Sequence, residues 1–178
     1  MAVMKGAYLA EAHCGMNDVG GRYQRYAAGP YDSGLIAAME LGADDLCGIK
    51  TVEPSGDGER VIYQVPQSAS PLKAELEALV GEDRANAFNK MLSDLNGIGR
   101  DGIEAVATIY AVWNDLIAAG KTADDDAVCN GVLNDWHEEK RQKFKRTALD
   151  YWLDWMRRHD IVPNGSAPRT DHQGSLFA

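Results

Sequence analysis

Residues 101–120, DGIEAVATIYAVWNDLIAAG, constrain this chain more than any other stretch. Asp101, with Glu104 three residues on, has the pattern of a capping box, in which two side chains satisfy backbone N–H groups left open at a helix start. Ile103, Val106, Ala107, Tyr110 and Ile117 recur at helical spacing, and Asn114 is the one polar break in the stripe. Trp113 and Leu116 widen the apolar face, and Gly120 supplies a C-terminal stop. A helix that is apolar on more than one side needs neighbours around it. The stretch therefore predicts the central helix of a mainly α protein.

The flanking sequence supplies those neighbours. A helix is already under way at Met1, with Tyr8, Leu9 and Ala12 on one face and Gly15 at its end. Arg22 to Tyr26 alternates like a short extended segment, Gly29-Pro30 signals a turn, and a helix is predicted from Asp32 to Leu41. Two β-branched runs, 49–53 and 60–65, flank PSGDG and read as a hairpin, which is marginal in water unless packed on helices. Ser70-Pro71 opens another helix, with serine as cap, proline at the first turn, and Leu72, Leu76 and Leu79 as its stripe. Helical patterns then cover Ala85 to Leu95, a segment opened by Thr122 with Asp125 and running to Trp136, and a last helix. That last helix carries Leu149, Trp152, Leu153 and Met156 on one face. Pro163 closes the ordered part.

The expected architecture is thus one domain of about six helices with one small β-hairpin near 49–65, over residues 1–163. A flexible tail is expected at 164–178. Trp113, Trp136, Trp152 and Trp155 are expected in the core.

Charge and cysteine usage exclude several classes. The formal charge of −9 is uneven: residues 1–70 carry −4, residues 71–136 carry −7, and residues 137–178 carry +2. An acidic body argues against a stand-alone nucleic-acid binder, because neutralising phosphate needs a concentrated positive face. Direct DNA contact, where it occurs, is expected at the C-terminal end. No run of about 18 apolar residues predicts a membrane span. Cys14, Cys47 and Cys129 are odd in number and scattered, which fits a reducing cytoplasm better than a disulfide framework or a zinc site.

No catalytic constellation is legible, and no cofactor or metal is expected. Gly97, Gly99 and Gly102 match G-x-G-x-x-G, yet the dinucleotide fingerprint needs a preceding strand, whereas helical pattern lies on both sides here. His13 and Cys14 lack a second cluster at metal spacing. Asp124, Asp125 and Asp126 are explained as acids in a first helical turn. Lys140, Arg141, Lys143, Lys145 and Arg146 form the main basic concentration. The linker that holds them is too long for a helix-turn-helix, so a solvated face or a contact to an acidic partner surface is expected.

Two family resemblances are carried by these segments. GRYQRYAAGPYDSGLIAAME, EAVATIYAVWNDLIAAGK, VLNDWHEEKRQKF and LDYWLDWMRRHDIVPNG resemble the C-terminal domain attached to some type I restriction enzyme specificity subunits. The matching pieces are Gly29-Pro30-Tyr31-Asp32, Ala107 to Asp115, and Trp136-His137 with Lys140. The front half is also similar to the Panacea antitoxin-like domain, through Lys5, Tyr8 and Gly29-Pro30, with Gly6 standing where that family has leucine. The first resemblance implies a non-catalytic cytoplasmic interaction module beside restriction–modification subunits or another DNA-processing protein. The second implies an antitoxin that neutralises a small toxic protein. Gly29, Pro30, Tyr31 and Asp32 and the basic run from Lys140 to Arg146 are then the expected partner contacts. Gln173, Ser175, Leu176 and Phe177 are similar to the pentapeptide by which bacterial proteins dock on the DNA sliding clamp, which would make the clamp a further partner.

Overall fold

A computed structural model of the protein describes residues 2–46, 50–55, 58–63 and 70–172. The fold is mainly α, as the periodicity predicts. Eight α-helices lie among the described residues, together with the expected hairpin and a second small sheet. The chain divides into two compact units, one formed by Met1–Asp32 with Asp83–Ala178 and the other by Ser33–Glu82.

The larger unit is built around α5 (Gly99–Ala118), which packs against α1 (Ala2–Ala12), α6 (Asp125–Asn130) and α8 (Arg146–Arg158). Val106, Ile109 and Tyr110 of α5 are closed to solvent, as are Met4, Tyr8 and Leu9 of α1 and Leu149, Leu153 and Met156 of α8. Met91 and Leu95 add the inner face of α4 (Glu82–Asn96). Burying side chains of this size stabilises by about 1.5–3 kcal/mol each, so the apolar stripe is the main source of the fold's stability. Trp136 and Trp155 are buried as expected, while Trp113 and Trp152 keep part of their surface in solvent.

Two glycines let the elements approach closely. A Cβ at Gly102 would stand 2.6 Å from the ring of Trp152, so this position sets the approach of α5 to α8. A Cβ at Gly131 would stand 2.5 Å from Val112, where the π-helical turn Gly131–Trp136 continues α6 across α5.

Four local expectations are corrected. The capping box does not form: Ile98 holds the N-cap position without a side-chain bond, and α5 starts two residues before Asp101. Asp101 and Glu104 are drawn instead to the lysines of α7 (Glu139–Lys143). Gly29-Pro30 is not the turn. Ala27-Ala28 turns the chain between β1 (Gln24–Tyr26) and β2 (Gly29–Tyr31), which pair antiparallel. Asp124, rather than Thr122, caps α6 by accepting from the backbone N–H of Ala127. Finally, the chain from Asn164 to His172 is packed rather than free, because a polar side chain of α5 holds it.

That last correction explains Asn114. Its amide donates to the carbonyl of Ala167 over 3.1 Å and accepts from the Ala167 N–H over 3.2 Å. The polar break in the apolar stripe thus satisfies two buried backbone groups of a crossing segment. The segment then adds β5 (Asp171–His172) parallel to β1, giving the sheet order β2-β1-β5.

The smaller unit consists of α2 (Ser33–Leu46), β3 (Lys50–Ser55), β4 (Gly58–Tyr63) and α3 (Ser70–Val80). The hairpin pairs Lys50 with Tyr63 and closes at Ser55 and Gly58, so its strands run further into PSGDG than expected. On α3, Leu76 is half-buried, but Leu79 is 80% exposed, so the expected stripe does not face inward as a whole.

Candidate functional site

Three networks organise the polar side chains of the larger unit. In the first, Lys140 donates to Glu104 over 2.8 Å with neither side chain exposed, and Lys143 reaches the other carboxylate oxygen over 2.9 Å. Lys143 also reaches Asp101 over 2.9 Å. Burial opposes ionisation of Glu104, but the two ammonium groups prevail and hold its pKa below the ordinary value. Burial likewise presses the Lys140 pKa down against the hydrogen bond it donates to Glu104, and the net shift is downward. Lys5, on α1, is also buried, and burial brings its pKa down to about 8 against the attraction of Glu104.

The second network is aromatic. Tyr8 meets Tyr23 edge-on with ring centroids 4.8 Å apart and meets Tyr110 at 6.2 Å. Tyr23 donates to Glu11 over 2.9 Å and Tyr110 to the carbonyl of Ala12 over 3.0 Å. Burial raises the pKa of all three phenols, so all three stay neutral. Tyr23 and Tyr110 act as donors, while the buried Tyr8 hydroxyl has no hydrogen-bond partner among the described residues.

The third network opens to solvent. Arg25, on β1, uses its whole guanidinium fork: Nε donates to Thr170 Oγ1 at 3.0 Å, and one terminal nitrogen pairs with Asp115 at 3.0 Å. The other terminal nitrogen donates to the carbonyl of Asp135 at 3.3 Å and lies 3.1 Å from His172 Nε2. The fork also stands over the Trp136 ring, 5.4 Å from its centroid, while Trp136 donates to the Tyr26 carbonyl over 2.8 Å. Asp115 accepts from both the N–H and the hydroxyl of Thr170.

Arg25, Asp115 and Thr170 form the floor of an open cleft of about 640 Å³, whose rim carries Lys121, Arg169 and Asp135. That volume falls within the usual range of roughly 300–1,000 Å³ for small binding sites. Lys121 and Arg169 have no carboxylate partner among the described residues, unlike Lys90, Lys140, Lys143, Arg146 and Arg157.

The residues expected to contact a partner fare differently. Gly29 and Pro30 are buried; Gly29 has φ of 111°, and a Cβ there would stand 3.3 Å from Thr108 Oγ1. Tyr31 is half-buried against Tyr26, and Asp32 accepts from the Arg22 N–H at 2.6 Å. Of the basic run, Lys140 is wholly buried, Lys143 is paired to α5, and Arg141 donates to the Leu133 carbonyl. Arg146 pairs with Asp126 and Asp150, which leaves Lys145 as the exposed cation of the run with no pairing among the described residues. Of the basic face expected at 140–146, only Lys140 is buried; Arg141, Lys143, Lys145 and Arg146 are exposed, although most of the charge is paired to acids and carbonyls of its own unit. Gln173, Ser175, Leu176 and Phe177 lie outside the described residues.

The remaining sequence candidates are structural. Cys14 is buried beside Met91, and burial pushes its thiol up to about 11. His13 packs edge-on to Tyr110. Among the described residues no group of three or more His, Cys, Asp or Glu side chains is arranged to hold a metal ion. No helix among them is long and apolar enough to cross a membrane.

Sequence reasoning missed Arg25, Lys121, Arg169 and His172. Arg25 and Thr170 are 145 residues apart, and no local spacing links them. Comparison with protein-family models, with curated proteins and with solved structures gives no match.

Proposed function

We propose that the chain is a non-catalytic protein-interaction module that works beside type I restriction–modification subunits or related DNA-processing machinery in the cytoplasm, and that it receives its partner in the open cleft beside Arg25. The observation that carries this reading is the pair of uncompensated rim cations, Lys121 and Arg169, in a cleft whose floor is fixed by Arg25, Asp115 and Thr170. A fixed floor with unpaired charge at its rim suits recognition, because a bound partner meets a preformed surface and loses little ordering entropy. The matching motif pieces of the specificity-subunit resemblance support the same assignment.

The internal pairing of Lys140, Lys143 and Arg146 disfavours the rival in which the basic run grips DNA. Antitoxin action and clamp docking remain outcomes of one experiment. The full chain and a chain ending at His172, which keeps β5 intact, are mixed with purified type I specificity and modification subunits, with sliding clamp, or with a small toxic protein, and run over a sizing column. Co-elution of the restriction–modification subunits with both chains is the predicted result. Clamp retained by the full chain alone assigns the tail motif instead, and retention of the toxic protein alone assigns the antitoxin. No co-elution with any partner overturns the reading.

A further inference from the structure

We infer that the cleft takes a short, extended peptide segment of mixed charge, with a carboxylate at Lys121 and Arg169 and a cation beside Asp135 and Asp171. This rests on reading the chain as an interaction module and names the chemistry of its partner. Six charged groups line the cleft: Arg25, Lys121 and Arg169 against Asp115, Asp135 and Asp171. Arg25 and Asp115 neutralise each other at 3.0 Å, and Thr170 takes up the remaining capacity of Asp115. Two cations and two carboxylates are left.

Those four groups stand on three separate pieces of chain. Lys121 follows the C-terminal turn of α5, where its own N–H bonds back to the Leu116 carbonyl. Asp135 lies in the π-helical turn, and Arg169 and Asp171 flank Thr170 on the crossing segment. Their side chains form no salt bridge among the described residues, and all four residues are exposed. A ligand of one sign would satisfy one pair and be repelled by the other, because like charges brought together at an interface are destabilising. Nucleic acid is such a ligand, since its phosphates gain from Lys121 and Arg169 but are opposed by both aspartates. A peptide with acidic and basic side chains meets both pairs, and its backbone can hydrogen-bond within the cleft.

The test uses the full chain with acetylated, amidated peptides that hold one Glu and one Lys separated by Gly-Ser spacers of graded length. Controls hold Glu alone or Lys alone, and inorganic phosphate and duplex DNA complete the set. Binding is followed by amide nitrogen–proton shifts at Lys121, Asp135, Arg169 and Asp171. The inference predicts a spacer length at which the mixed peptide binds about tenfold tighter than either single-charge control, with shifts at these four positions. Lys121→Glu with Arg169→Glu should remove that advantage while leaving the unfolding midpoint unchanged, because both side chains are exposed.

Mixed peptides that bind no tighter than single-charge ones, or shifts centred elsewhere, overturn the inference. So does phosphate or duplex DNA that binds at the same positions more tightly than any peptide. Restriction–modification subunits that co-elute equally with the wild type and the double variant overturn the cleft assignment and leave the module reading standing. Mixed-peptide binding without co-elution of any subunit does the reverse.

Discussion

Lys140 and Glu104 meet at 2.8 Å with both side chains closed to water, joining the short helix α7 to the start of α5. Without Glu104 the Lys140 charge would be buried with no carboxylate partner, whereas without Lys140 the Glu104 carboxylate would keep Lys143 at 2.9 Å. Glu104→Leu alone should therefore lower unfolding stability by about 3–5 kcal/mol and Lys140→Met alone by less, whereas the two together should recover much of that loss. Urea unfolding of the two singles and the double closes the cycle. Additive losses would show that the two charges act independently.

Glu104 also sets an acid limit. Its pKa is held below the ordinary 4.5, so its contribution is complete above that value and is lost as pH falls through the folded-state value. Glu104→Gln should flatten the acid limb of a plot of stability against pH.

Lys5 acts at the other end of the scale, with the opposite sign. Burial brings its pKa from 10.5 to about 8, so the unfolded chain binds more protons than the folded one between these values. The penalty for holding Lys5 in the fold is complete below pH 8 and eases as pH rises toward 10.5. The Lys5 contribution should therefore rise between pH 8 and about 9.5. The thiols of Cys14 and Cys129, which burial raises from 9.0 to about 11, pull stability the other way from about pH 9. The difference between wild type and Lys5→Met thus isolates the lysine. Lys5→Met should show a shallower slope. Some slope should remain, because the Lys140 pKa is lowered too.

Asn114→Ala removes both bonds to the Ala167 backbone and leaves a buried N–H and a buried carbonyl unpaired. A loss of about 1–3 kcal/mol is expected. Amide exchange should quicken between residues 164 and 172, while the N–H groups of α8 stay protected. Uniform quickening would mean that the clamp stabilises the whole unit rather than the crossing segment.

Gly102→Ala places a methyl 2.6 Å from the Trp152 ring and 3.0 Å from Ile98. Overpacking of this kind costs about 1–3 kcal/mol. Trp152→Leu should offset part of the loss by clearing the ring, and thermal unfolding of the three variants checks it.

The elements were legible where one period ran unbroken. The α5 stripe, the Leu149–Met156 face of α8 and the β-branched runs of the hairpin each carry their own local signal. The caps were less legible, because capping chemistry competes with long-range pairing: Asp101 and Glu104 have capping spacing but find lysines far along the chain. The packed segment after Pro163 was illegible for the same reason. Its polar, proline-bearing sequence reads as a tail, and what holds it in place is distant: the side chains of Asn114, Asp115 and Arg25 and the backbone of β1. The cleft was invisible, since its residues converge from four separate stretches of the sequence. Gly29, Trp136 and Lys140, among the residues that carry the family resemblance, proved largely interior.

The proposed seat of the partner is the cleft rather than the basic run at 140–146. Amide-exchange footprinting of the chain bound to a co-eluting subunit tests that placement most directly. Protection is predicted at Leu116 to Lys121, at Asn134-Asp135 and at Arg169 to His172, with none gained at Glu139 to Arg146. Protection gathered at Glu139 to Arg146, with the cleft unchanged, would contradict it.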